Sequence, residues 1–245
     1  TTKGWDLQEA VDHYAQAGGS GITVWRQWLE GRDPWRAGES IRAAGLKIVS
    51  LCRGGVYPAV EEKSRRDAIQ ENKRAIEEAA ALGAPLVVLV CGAVPGQSLI
   101  ESRKQITDGI AATLPLAESL GIKLAIEPLH PMYADDRSAI NSLACANDVC
   151  DKLNHPLVGI AYDVYHLWWD PDLAAQTKRT AEANRLFAYH VCDWMTPTND
   201  LLNDRGLMGE GCIDLRAMRG RVEEGGFDGM FEVDVFSNRW WEKPT

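Results

Sequence analysis

Four residues with hard oxygen or imidazole donors stand at the ends of short apolar runs in the second half of the chain. Glu127 closes LAIE, Asp163 closes GIAYD, His190 stands in FAYHV and Glu232 in MFEV. Two Glu, one Asp and one His, with no thiolate among them, make an oxygen-rich donor set. It suits Mn²⁺ first and leaves Mg²⁺, Co²⁺ and Zn²⁺ open, whereas a structural zinc site would call for cysteines. One carboxylate ending a strand is more often a loop cap, but four on successive runs are hard to attribute to capping. A divalent ion that holds a carbonyl and a neighbouring hydroxyl stabilises the enolate formed when the adjacent C–H proton leaves. A carboxylate tuned by burial can then act as the base.

Further polar residues cluster around these four in sequence. His166 follows Asp163 by three positions and reads either as a group that contacts substrate oxygen or as a core histidine beside Trp168 and Trp169. His130 and Tyr133 follow Glu127 and are candidates for extra acid–base or hydroxyl-binding work. The stretch from Trp194 to Cys212 is long for a strand-to-helix loop and carries Arg205, a candidate substrate ligand, on what is expected to be a lid or wall. Arg26 and Arg53 end early strands and read equally well as hydroxyl or carboxylate ligands and as ion-pair partners. Trp25 and Trp194, with Trp168, Trp169, Trp240 and Trp241, fall near strand ends, where flat rings can stack on sugar C–H faces or pack under loops.

Positioning such groups requires a repeating scaffold, and the chain has one. Helical spacing ended by Gly or a turn and followed by an apolar run recurs seven times. The predicted helices cover 6–17, 35–44, 60–82, 102–120, 139–153, 172–184 and 215–224. The predicted strands cover 21–26, 47–52, 85–90, 122–127, 158–163, 186–192 and 230–235. Strands joined by helices are parallel, and their continuous apolar character fits burial on both faces. A doubly wound sheet should carry GxGxxG after its first strand, and none is present. Functional residues at the C-terminal ends of successive strands instead predict an α/β protein of the (β/α)₈ barrel type, with residues 1–245 as one barrel domain. The sequence opens on Thr1 and a helical pattern almost at once, and stops soon after the last strand. The expected barrel therefore lacks part of its first strand and its last helix.

Composition narrows the partners. The chain has 245 residues, a formal net charge of -9, six cysteines and nine tryptophans. An acidic protein is a poor nonspecific binder of nucleic acid or anionic lipid. No apolar run is long enough to span a membrane. The cysteines are scattered without a CxxC pair, which favours reduced thiols and a cytoplasmic location. A small-molecule partner is expected, and tryptophans left over from packing keep a homo-oligomer open.

The segment from Gly21 to Phe236 resembles the xylose isomerase-like TIM-barrel superfamily, the sugar phosphate isomerase/epimerase family. The matching motifs are Ile126-Glu127-Pro128, Asp163-x-x-His166, the strand-end His190 and Phe231-Glu232-Val233. The resemblance implies that Glu127, Asp163, His190 and Glu232 hold one divalent metal. It also implies that Glu127 and Glu232 exchange the substrate proton, and that His166 contacts substrate oxygen. The expected function is isomerisation or epimerisation of a sugar or keto-sugar by proton transfer beside a carbonyl, through a metal-stabilised enolate. The run Glu127-Pro-Leu-His130-Pro-Met-Tyr133 departs from the ketose 3-epimerase pattern of Asn followed by a second Glu. That departure favours the alternative, a lyase or hydratase performing β-elimination on 3-keto-glycosides or inosose. A noncatalytic sugar binder would be expected to lack a ligand. An endonuclease IV-like nuclease would need three zinc ions and more than the five histidines present.

Overall fold

The computed structural model describes residues 2–243; Thr1, Pro244 and Thr245, the ends of the predicted 1–245 domain, lie outside the described residues. The barrel strands are β1 (Gly21–Trp25), β2 (Lys47–Gly55), β3 (Leu86–Val90), β4 (Lys123–Ile126), β5 (Val158–Asp163), β6 (Leu186–Val191) and, late in the chain, β9 (Phe231–Val233). Two two-residue strands, β7 (Asp193–Trp194) and β8 (Arg205–Gly206), lie between β6 and β9. The helices are α1 (Leu7–Gln16), α2 (Pro34–Ala43), α3 (Glu62–Leu82), α4 (Leu99–Leu120), α5 (Leu143–Leu153), α6 (Val164–Leu167), α7 (Leu173–Glu182), α8 (Leu215–Glu224) and α9 (Asn238–Trp241).

Among the described residues, one parallel sheet of 7 strands runs in the order β1-β2-β3-β4-β5-β6-β9. It curls into a nearly closed TIM barrel whose two edge strands meet where Thr23 Oγ1 on β1 donates to Glu232 Oε2 on β9. The barrel interior is built from small and medium side chains, Cys52, Leu86, Val88, Ala125, Ala161 and Ala188, with Trp25 and Phe187 packed against them. The larger core lies between the strands' outer faces and the helices and includes Leu51, Ile76, Leu89, Ile110, Leu124 and Ile160. This division follows from the strand period of two, which sends alternate residues inward and outward.

Local chemistry sets the element ends. Ser98 and Ser142 cap α4 and α5 by accepting from Glu101 N–H and Cys145 N–H. Helix α5 therefore starts at Leu143 rather than at 139 as the apolar spacing predicts. Ser138 to Asn141 instead form a buried bridging segment, in which Ser138 pairs with Gly92, the Ala139 N–H donates to Gly92 O at 2.9 Å and Asn141 Nδ2 donates to Ser138 O at 2.9 Å. Strand β2 runs three residues beyond its predicted end because Asn72 of α3 satisfies both backbone groups of Gly55. Its side chain accepts from Gly55 N–H at 2.6 Å and donates to Gly55 O at 2.7 Å.

Candidate metal and proton-transfer site

The register places the predicted ligands side by side. Asp163 on β5 pairs with His190 on β6, and His190 pairs with Glu232 on β9. Glu127 is the first residue beyond β4, its N–H donating to Leu89 O at 3.0 Å. Donor atoms of Glu127, Asp163 and His190 all lie within 4.8 Å of one another, and all three residues are buried. Glu232 stands slightly apart, its Oε1 3.9 Å from His190 Nε2.

The electrostatics of this cluster are unbalanced. His190 Nδ1 bonds Glu127 Oε1 at 2.8 Å. Burial opposes charge on the His190 ring, but the bond to Glu127 and the fields of Glu232 and Asp163 outweigh it and push the imidazolium up to about 10. Burial pushes Asp163 up to about 7 against the pull of Arg205, with Asp234 and Glu127 adding to the rise. Burial likewise raises Glu232, opposed by His190 and Thr23. Glu232 Oε1 is buried with no hydrogen-bond partner. Carboxylates held above their ordinary range beside an unpartnered oxygen are short of positive charge, and a divalent cation supplies it. The four residues thus fit a hard divalent ion by donor type, burial and charge.

Beside the cluster, His166 is buried behind Asp163, its Nε2 3.6 Å from Asp163 Oδ2. His166 Nδ1 accepts from the His130 N–H at 3.2 Å, and Arg205 Nη2 lies 3.3 Å from its Nε2. Burial, reinforced by Arg205, holds its pKa well below the ordinary histidine range. Arg205 is 4% exposed and donates to both Asp163 and Asp234. It reaches the site because Asp193, itself buried, accepts from the Trp194, Gly209 and Ile213 N–H groups and folds the 194–212 segment back on itself. A Cβ at Gly211 would come within 2.2 Å of Trp194 O, so only glycine admits this packing. The segment is a wall: the hydroxyls of Tyr133 and Tyr165 both donate to Leu201 O, at 2.8 and 2.9 Å.

The other predicted residues divide. Trp194 stacks on Tyr165 and His130 at centroid distances of 4.6 and 5.2 Å, with Trp169 edge-on to His130 at 5.6 Å. His130 Nδ1 accepts from Met132 N–H at 3.2 Å, and burial lowers its pKa. Tyr133 braces the wall through its hydroxyl. Trp25 lies in the barrel interior and meets Phe236 edge-on at 5.8 Å. Arg26 is an ion-pair residue, bound to Glu71 and Glu78 at 2.8 and 2.6 Å. Arg53 is exposed at the end of β2. Sequence reasoning missed Asp234, Asp193 and Thr23. The signal for Asp234 was its place two residues after Glu232, on the same face of the strand.

The xylose isomerase-like TIM barrel family matches residues 11–245. A Bacillus licheniformis protein named inosose isomerase is 27% identical over 186 residues, which cover 74% of this chain and 65% of that relative. The match therefore spans slightly under two thirds of the relative's length. A crystal structure of a Sinorhizobium meliloti 1021 protein superposes with a TM-score of 0.94 at 48% identity, over 98% of this chain and 88% of that one. The IolI protein, crystallised with a zinc atom, superposes with a TM-score of 0.84 at 22% identity, over 97% and 87%, a likeness in fold. The chain belongs to the xylose isomerase-like TIM barrel family.

Proposed function

We propose, with that family membership as premise, that this chain is a divalent-metal-dependent isomerase or epimerase of a keto-sugar or an inosose, with residues 1–245 working as one barrel domain. The observation that carries the reading is the row Asp163, His190 and Glu232 on adjacent strands, with Glu127 beside it and the orphaned Glu232 Oε1 within it. The name of the Bacillus licheniformis relative supports the substrate class. A divalent ion bound to Glu127, Asp163, His190 and Glu232, with Mn²⁺ as the favoured metal, supplies Lewis acidity beside a substrate carbonyl.

The chain's own groups do the rest. Glu232, raised by burial and with Oε1 free, takes the proton from the carbon next to the carbonyl. Glu127, on the far side of His190, holds or returns a proton at its Oε1. Neutral His166 and the Arg205 guanidinium, whose Nε is buried without a partner, orient substrate oxygens. The rings of Trp169 and Trp194 form an apolar wall that excludes water and receives a sugar C–H face. Arg53 binds at the rim, while Tyr133 and Trp25 support the pocket.

A second reading, β-elimination from a 3-keto-glycoside or an inosose, is favoured by one observation. Because His130 Nδ1 accepts from the Met132 N–H, Nε2 is the ring atom that exchanges a proton with substrate, and a His130 imidazolium that gives up the Nε2 proton to a leaving oxygen returns to the neutral ring. Incubation of the Mn²⁺-loaded protein with inosose and with a 3-keto-glucoside in D₂O, followed by NMR, separates the two. Deuterium next to the carbonyl with all bonds retained is expected, and release of water or of the anomeric substituent would favour elimination. Neither outcome on any keto-sugar would overturn both.

A further inference from the structure

The Arg205 guanidinium is held between two carboxylates. Its Nη1 donates to Asp163 Oδ2 at 3.1 Å, to Asp234 Oδ2 at 2.8 Å and to the Asp234 carbonyl at 3.2 Å. Its plane lies over Tyr165 at 4.2 Å and near Phe236 at 5.1 Å. The backbone fixes this geometry: Arg205 N–H donates to Phe236 O at 2.9 Å, Asn238 N–H to Asn203 O at 2.9 Å and Asp234 N–H to Val191 O at 2.9 Å. An arginine keeps its charge at any working pH. A permanent positive charge thus touches the same Asp163 that contributes a donor to the Glu127–Asp163–His190 cluster. Two cations competing for one buried carboxylate repel each other strongly in a weakly screened interior.

We propose that Asp234 is a positioning residue whose carboxylate takes up the Arg205 charge, so that Asp163 can serve a divalent cation while Arg205 stays in the site. The inference rests on the metal reading given under Proposed function. Asp234 lies outside the ligand cluster, and it acts through Arg205. Asp234 makes the shorter bond to Nη1, 2.8 Å against 3.1 Å for Asp163, and a second contact through its carbonyl, while the fully buried Asp163 exerts the stronger field on the guanidinium. Residues that support a metal's ligands from behind typically change affinity about 10- to 100-fold when removed.

The test is Mn²⁺ titration of chelator-stripped protein, followed by loss of the free-Mn²⁺ electron paramagnetic resonance signal. Asp234→Asn is expected to weaken Mn²⁺ binding by roughly 10- to 100-fold, with Asp234→Glu close to wild type. Arg205→Met is expected to tighten binding, and adding it to Asp234→Asn to restore affinity to near wild type. A purely structural role for Asp234 would not give the restoration in the double variant. Wild-type affinity in Asp234→Asn, or a double variant as weak as Asp234→Asn, would overturn the inference while leaving the metal reading intact. Absence of Mn²⁺ binding in the wild type would overturn the metal reading and this inference with it.

Discussion

The two mouths of the barrel are built from different materials. At the C-terminal mouth, Glu127, Asp163, His190 and Arg205 are all less than 10% exposed, and Glu232 Oε1 has no hydrogen-bond partner. At the N-terminal mouth, a cavity of about 380 Å³ is lined largely by Ile48, Val49, Leu86, Leu186, Phe187 and Met230, with Lys47 and Lys123 among its polar groups. Among the described residues, Asp228 is the one acidic residue lining this cavity, and Lys123 rests its ammonium 4.6 Å over the Phe187 ring. Unbalanced buried charge marks the end of this molecule where chemistry is expected.

The largest effect that would sharpen this contrast is at Glu232. Glu232→Gln keeps the shape and removes the proton carrier, so turnover of a keto-sugar by the Mn²⁺-loaded protein is expected to fall by about 10²- to 10⁴-fold, as for other lost general bases. Steady-state kinetics checks this, and a fall of less than tenfold would argue against the role. Gly159→Ala acts at the other mouth. Its Cβ would come within 2.5 Å of the Phe187 ring and 2.7 Å of Arg185 O. A loss of about 1–3 kcal/mol in urea unfolding is expected from this overpacking, with Mn²⁺ affinity unchanged. Coupled loss of affinity would break the separation between the two mouths.

Acid should weaken the charged mouth in a defined direction. In the metal-free state the His190 imidazolium persists up to about 10 and Asp163 is protonated up to about 7. A cation must displace those protons, so Mn²⁺ affinity should rise with pH between 6 and 9, by up to about tenfold per unit for each proton released. Isothermal calorimetry in buffers of different ionisation enthalpy counts the protons, and pH-independent affinity would contradict the cluster. Least affected should be Lys47→Gln, on the rim of the N-terminal cavity. Its exposed side chain makes a change within about 0.5 kcal/mol the expectation, and activity should not move.

Much of this contrast is legible in the amino-acid order. The helix, turn and strand cycle fixes where strands end, so Glu127, Asp163, His190 and Glu232 could be placed together before any distance was known. The partner choices could not. Nothing in Tyr133 marks its hydroxyl for Leu201 O, 68 positions away. Nothing in the loop sequence reveals that Arg205 pairs across from Trp194 in a two-residue ladder. Asp234 was hidden because alternation in Phe-Glu-Val-Asp-Val reads as an ordinary strand, and only folding brings its carboxylate to Arg205. Helical spacing misled at Ala139, where the buried backbone pairs with distant segments instead, the Ala139 N–H donating to Gly92 O and Ile140 O accepting from the Leu129 N–H.

The most direct measurement is anomalous diffraction at the manganese edge from crystals grown with Mn²⁺. The account predicts one strong peak at the C-terminal mouth, ligated by Glu127, Asp163, His190 and Glu232. A well-ordered site that lacks the peak, or a peak at the N-terminal cavity instead, would contradict it.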